Sequence, residues 1–144
     1  MRAVYAAIAD RLRSGTPFAV ATLVAVRDAA PAPLGTSLIV DADGSFVGNI
    51  GAGCHEAEVV EAARAASADR LETTLTFSLT DELLDGSSCG ASLDVVVWLP
   101  DASFADVADR IVTGDETVIF TCGERTVTIG PRRRAVVVGA TDLG

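Results

Sequence analysis

The sequence predicts a mixed α/β fold (α+β): a mostly β core sheet with two or three flanking helices. Apolar, β-branched runs such as Phe18–Val26 (FAVATLVAV) and Leu93–Leu99 (LDVVVWL) are too continuous for surface helices and mark buried strands. Other stretches, about residues 2–13, 54–66 and 103–112, read as helices, the first two with apolar residues at helical spacing. A hydrophobic fraction of 49% over 144 residues supplies a proper core without disulfide or metal staples.

Taken in order, residues 2–13 carry Val4, Tyr5, Ile8 and Leu12 on one stripe, and Ser14-Gly15-Thr16-Pro17 stops that helix. Phe18–Val26 is the first strand, and the segment from Arg27 to Gly35 is a proline-punctuated loop. Thr36–Val40 resumes as a strand. Asp41-Ala42-Asp43-Gly44 is a hairpin signal with Gly44 free to take a positive φ, and Ser45–Gly48 returns. The run Gly48-Asn49-Ile50-Gly51-Ala52-Gly53-Cys54-His55-Glu56 then holds three glycines in its first six residues, which suits neither a strand nor a helix interior. It reads as a turn opening a helix, with Cys54 at or near the N-cap and Val59, Ala62, Ala63 and Ala66 on one face. Ser67-Ala68-Asp69 ends that helix.

Leu71–Leu79 alternates as a half-buried strand with Leu71, Leu75, Phe77 and Leu79 facing one way. A second small-residue loop, Asp85 to Ala91, surrounds Cys89 and leads into the Leu93–Leu99 strand. Pro100-Asp101 turns the chain, Ser103 caps a helix to about Val112, and Gly114-Asp115 breaks it. Thr117–Thr121 and Arg125–Ile129 form a hairpin around Cys122-Gly123-Glu124, and Pro131 to Arg134 is a polar linker. Ala135 to Gly144 reads as a buried parallel-type strand entering G-A-x-x-x-G, as a dinucleotide-binding fold begins. The expected organisation is thus a domain of residues 1–130, with residues 131–144 as linker and truncated start of a Rossmann-type domain. A closing strand of the first domain is the alternative.

Charge and cysteine usage narrow the class. A net charge of −9 disfavours nucleic acid and anionic membranes, and all eleven basic residues are arginine. No apolar run approaches the ~20 residues that span a bilayer, and no signal peptide is recognised. Three scattered cysteines are not a secreted disulfide framework, so a reducing cytoplasm is expected.

The chemistry concentrates in the two cysteine loops. A helix N-terminus offers unpaired N–H groups and partial positive charge, which lowers a thiol's pKa and suits an anion. Cys54 fits that setting, although Glu56 and Glu58 oppose a ligand phosphate, and a buried inert cysteine in a tight turn is the alternative. Cys89 has similar small neighbours, so the two loops are expected to converge on one pocket, with Cys122 elsewhere. A dedicated metal cage or a Cys–His pair is poorly supported, because there is no C-x-x-C and the sole histidine, His55, is adjacent to Cys54.

The order of motifs resembles the XdhC/CoxI family of accessory proteins for molybdenum hydroxylases such as xanthine dehydrogenase and CO dehydrogenase. It runs through a Pro-x-Pro-x-Gly loop (Pro31 to Gly35), the hairpin Asp41 to Gly44 and G-C-x-E (Gly53 to Glu56). G-x-x-C-G (Gly86 to Gly90), V-x-W-L-P and a Rossmann-like start follow. The resemblance covers about residues 15–144. It implies a protein that binds the molybdenum cofactor (molybdopterin), assists its sulfuration and delivers it to the apo-hydroxylase, a maturation factor rather than a catalyst of turnover. The implied cofactor-binding residues are Gly35, Gly51, Gly53, Cys54, Glu56, Gly86, Cys89 and Gly90, with Cys54 and Cys89 next to the molybdenum. Partners would be the hydroxylase apo-enzyme, a sulfur donor and a second copy of the chain. NAD(P) or another nucleotide enters only with a second domain. The family's first loop carries arginines where this chain has Ala32 and Ser37, so Ala32→Arg with Ser37→Arg is expected to strengthen cofactor binding. Two other classes stand beside this one: an oxidoreductase component or thiol-redox protein, and a divergent scaffold that binds only a partner.

Overall fold

The computed structural model describes residues 2–27, 34–51, 55–78, 92–114, 117–122, 125–129 and 135–141, the last three segments as backbone. Among the described residues three helices and eight strands follow in the order α1 (Arg2–Ser14), β1 (Phe18–Arg27), β2 (Ser37–Asp41), β3 (Phe46–Gly48), α2 (Glu56–Asp69), β4 (Thr73–Ser78), β5 (Ser92–Trp98), α3 (Phe104–Thr113), β6 (Thr117–Cys122), β7 (Arg125–Ile129) and β8 (Ala135–Thr141). The first five strands form one antiparallel sheet in the order β3-β2-β1-β5-β4. This is the α+β architecture that the strand and helix signals predict.

Both faces of the sheet are covered, which explains why β1 and β5 are apolar without alternation. Val20, Val24, Ile39, Val96 and Trp98 point to the face under α1 and α3, where Tyr5, Ile8, Phe104, Ala108 and Ile111 are buried. Ala19, Ala21, Leu23, Leu38, Val40, Val95 and Val97 point to the face under α2. Ala19 and Ala21 share this buried cluster with Ala63 and Ala66 of α2, small side chains that suit close packing of the helix on the sheet. A register shift between Leu23 and Ala25 reverses the alternation of β1, so that Val26 as well as Leu23 packs on the α2 side. α1 and α3 are joined by the Tyr5–Phe104 ring contact and by an exposed Arg13–Asp109 ion pair.

The turns follow their sequence signals. Asp41 N–H donates to Ser45 O and Gly44 N–H to Asp41 O, both at 2.9 Å, with Gly44 at φ +87°, which closes the β2–β3 hairpin. Asp41 also holds Arg11 of α1 through two hydrogen bonds of 2.6 and 2.7 Å. α3 ends at Gly114 with φ +85°, as the break at Gly114-Asp115 requires.

Three expectations change. Leu71 precedes β4 and is 67% exposed, because the chain leaves α2 through Arg70 and enters the sheet only at Thr73. Ser103 makes no side-chain cap bond; its N–H donates to Asp101 Oδ1 at 2.9 Å, and its hydroxyl turns to the same oxygen instead. The N-cap of α2 is His55 and the helix itself begins at Glu56, two residues beyond Cys54, within the expectation of Cys54 at or near the N-cap. Strand β8 runs on through Gly139 and Ala140 to Thr141, because Gly139 is passed over at a bulge opposite Phe120 and Thr121. β8 pairs in parallel with β6, and β7 pairs antiparallel on the other side of β6, giving a three-stranded sheet of order β7-β6-β8.

Candidate functional site

Strand register decides which loops share an end of the sheet. Arg27, the last residue of β1, lies opposite Ser92, the first of β5, and Ser92 lies opposite Ser78, the last of β4. On the other side Thr22 pairs with Ser37, the first residue of β2, and Leu38 pairs with Gly48, the last of β3. The proline loop, the glycine turn and the segment bearing Cys89 therefore all leave the sheet at one end. α2 begins at that end as well.

The described part of the glycine turn is anchored from both sides. Gly48 has φ +104°, and a Cβ there would stand 2.6 Å from Ser37 O and 3.3 Å from Val4 Cγ2. Only glycine fits this approach of β3 to β2 and α1. Ile50 is fully buried in the core under α2, and Asn49 Oδ1 accepts the Gly51 N–H, with Gly51 at φ +69°. His55 then stacks on Phe77 of β4, ring centroids 4.8 Å apart and planes at 27°, while its Nδ1 lies 3.0 Å from Glu58 Oε1. The residue after Cys54 is thus joined to a β4 residue two positions before Leu79, beyond which the chain goes on to Cys89. This coupling was not anticipated; a histidine inside an otherwise apolar, small-residue turn was the visible signal.

A buried chain of hydrogen bonds runs from Trp98 through Thr22 and Ser37 to Gly35. Trp98 Nε1–H donates to Thr22 Oγ1 (3.0 Å), Thr22 and Ser37 hydroxyls are 2.8 Å apart, and Ser37 Oγ–H donates to Gly35 O (3.1 Å). Gly35 is buried at φ +89°, and its N–H donates to Leu23 O at 2.7 Å. Burial raises the pKa of the fully enclosed Tyr5 phenol beside this chain. Ser37 is 4% exposed, so its place in the resemblance, as a loop position where an arginine would reach a ligand, is corrected: it is an interior hydroxyl that fastens the loop.

Glu56 opens α2 half-buried, and Glu56 and Glu58 together offset the positive end of the helix dipole. Asp94 of β5 is 6% exposed and accepts Thr76 Oγ1–H at 2.9 Å close to the same end, an acid whose presence in a valine-rich strand was the overlooked sign. Gly53, Cys54, Gly86, Cys89 and Gly90 lie outside the described residues, and Cys122 ends β6 in the other sheet. Among the described residues no group of three or more His, Cys, Asp or Glu is placed to hold a metal ion. None of the described helices is long and apolar enough to cross a membrane.

The sequence profile of the XdhC and CoxI family matches residues 11–78, from the end of α1 through β4. No curated protein matches the chain at a significant level. A crystal structure described as a xanthine dehydrogenase from Bacillus halodurans superposes with a TM-score of 0.63 at 20% identity. The likeness covers 78% of this chain and 36% of that one, so this chain spans little more than a third of its length. At that identity the superposition speaks for the fold. The matched segment contains the proline loop, the hairpin and the glycine turn in their order along the chain, so that residues 11–78, a little under half of the chain, are similar to the XdhC and CoxI family.

Proposed function

We propose that the chain is an accessory protein to a molybdenum hydroxylase of the xanthine dehydrogenase type. It binds the molybdenum cofactor (molybdopterin) at the loop end of the sheet and assists its sulfuration and insertion into the apo-enzyme. The observation that carries this reading is the departure of all three motif loops from one end of the sheet, with His55 stacked on Phe77 of β4 close to that end. The family match over residues 11–78 and the fold shared with a structure described as a xanthine dehydrogenase support the same role.

The donor set suits such a cargo. Thiolates are soft ligands, apt for a metal already held by sulfur. The N–H groups of Gly35 and Gly51 are committed within the protein, to Leu23 O and Asn49 Oδ1. This reading therefore assigns the contacts to the thiols of Cys54 and Cys89 and to the amides of Gly53, Gly86 and Gly90. The partners it requires are the apo-hydroxylase and a sulfur donor, in the cytoplasm, with a second copy of the chain as a further associate.

Anaerobic titration with molybdopterin, followed by pterin fluorescence, tests it. Wild type should bind saturably, Cys54→Ser should abolish binding, and Cys89→Ser should weaken it. A wild type that does not bind, while still associating with the hydroxylase, leaves a scaffold and ends the cofactor reading.

A further inference from the structure

The end of α2 remote from the loops carries a second feature. Arg70 caps the helix at φ +58°, ψ +37°, the single non-glycine residue with positive φ among the described residues. That left-handed position is ordinarily filled by glycine, since any side chain there is strained. Beside it lies a groove of about 380 Å³ lined by Pro17, Ala42, Arg64, Ser67, Ala68 and Arg70, with no acid among these described lining residues. A volume of that size is in the range of small-molecule sites.

Three details give the groove a chemistry. Arg64 is fixed by its neighbours: its stem runs beside Gly44, whose added Cβ would stand 3.7 Å from Arg64 Cδ. Glu61 takes its Nε–H and one Nη2–H, which leaves the Nη1 side of the guanidinium for another acceptor. Ser67, one of the lining residues, is 5% exposed, and its enclosed hydroxyl has no hydrogen-bond partner among the described residues. Pro17, Ala42 and Ala68 supply an apolar wall.

We infer that this groove binds the phosphate group of a small phosphate monoester, held between the guanidinium groups of Arg64 and Arg70. The site is separate from the loop end: α2 has 14 residues, so its two ends stand about 20 Å apart. A cation at a helix C-terminus is favoured by the dipole alone. That accounts for a charge near this position but not for a strained backbone at the arginine itself, where the preceding turn offers unstrained positions.

The test measures urea unfolding midpoints of the 144-residue chain against inorganic phosphate and against ribose 5-phosphate, at constant ionic strength with chloride as control. Wild type should be stabilised in a saturable way. Arg70→Gly should keep or raise the midpoint without ligand, because the strain is relieved. It should lose phosphate affinity by roughly 10- to 100-fold, as expected for one charge-assisted hydrogen bond, with Arg70→Lys between. The general stabilising effect of phosphate as a salt is common to both proteins and cancels in the comparison. A stronger response to ribose 5-phosphate supports the monoester, whereas equal responses assign the same site to the free anion. No saturable response in wild type, or an undiminished one in Arg70→Gly, overturns the inference.

Discussion

Substituting alanine for Gly48 tests the geometry that positions the glycine turn. Gly48 has φ +104°, where an L-residue is strained by about 1–2 kcal/mol. Its Cβ would also lie 2.6 Å from Ser37 O, a main-chain atom in a paired strand that moves only with β2. Forced overpacking of that kind costs about 1–3 kcal/mol. The stiffer unfolded chain returns about 0.4–1 kcal/mol, which leaves a net loss of about 2–4 kcal/mol, a large share of a domain's stability. Gly15→Ala is the matched control, because Gly15 has φ +71° but nothing within 4 Å of an added Cβ. It should lose only about 1 kcal/mol. Urea unfolding of both variants with m-values compared gives the difference directly. Equal losses for the two would refute the close approach of β3 to Ser37 and Val4, and with it the account of how the turn is aimed.

Ile50→Ala should lower stability by about 2–5 kcal/mol in the same assay and increase proteolytic cleavage near residues 49–55, because Ile50 is the turn's buried anchor. Ser37→Arg should unfold the domain, seen as loss of the cooperative urea transition, because it puts a guanidinium among Thr22, Trp98 and Gly35. The Arg13 guanidinium holds the Asp109 carboxyl below the usual carboxylate range. Its contribution is complete above pH ~4 and fades as pH falls through the depressed value, so Asp109→Asn should lower the midpoint slightly at pH 7 and by progressively less as the pH is taken into the acid range. Both side chains are about half exposed, at 50% and 47%, so ~1 M salt should erase the difference.

Most of the fold was legible because its signals are local. The apolar runs of β1 and β5, the Asp41–Gly44 hairpin and the stop at Gly114 each follow from the residues present. What escaped depends on partners distant in sequence. Nothing in the run from Thr36 to Val40 says that Ser37 faces inward; that follows from its pairing with Thr22 and the inward turn of Trp98, 61 residues further on. The His55–Phe77 stack likewise requires α2 and β4 to be neighbours before it can be seen. Ser103 looked like a cap by residue type, yet Asp101, two residues earlier, captures both its N–H and its hydroxyl.

The inward position of Ser37 also changes where a cofactor phosphate would find its counter-charge. The family resemblance puts arginines at positions 32 and 37, and the second of these is closed off by the sheet. Arg27 is the one basic residue in the described five-stranded sheet, and its backbone stands at the loop end, opposite Ser92. Under the proposed function the positive charge of Arg27 is tested as a contributor to cofactor affinity. Arg27→Gln should then weaken molybdopterin binding by roughly 10- to 100-fold, the worth of one charge-assisted hydrogen bond, and flatten the dependence of affinity on salt. Ala32→Arg alone should strengthen binding, because that change leaves the Thr22–Ser37–Gly35 chain intact. An Arg27→Gln protein that keeps the wild-type urea midpoint and binds as tightly as before would assign the phosphate to other residues, and would leave the cysteine contacts as the test of the cofactor reading.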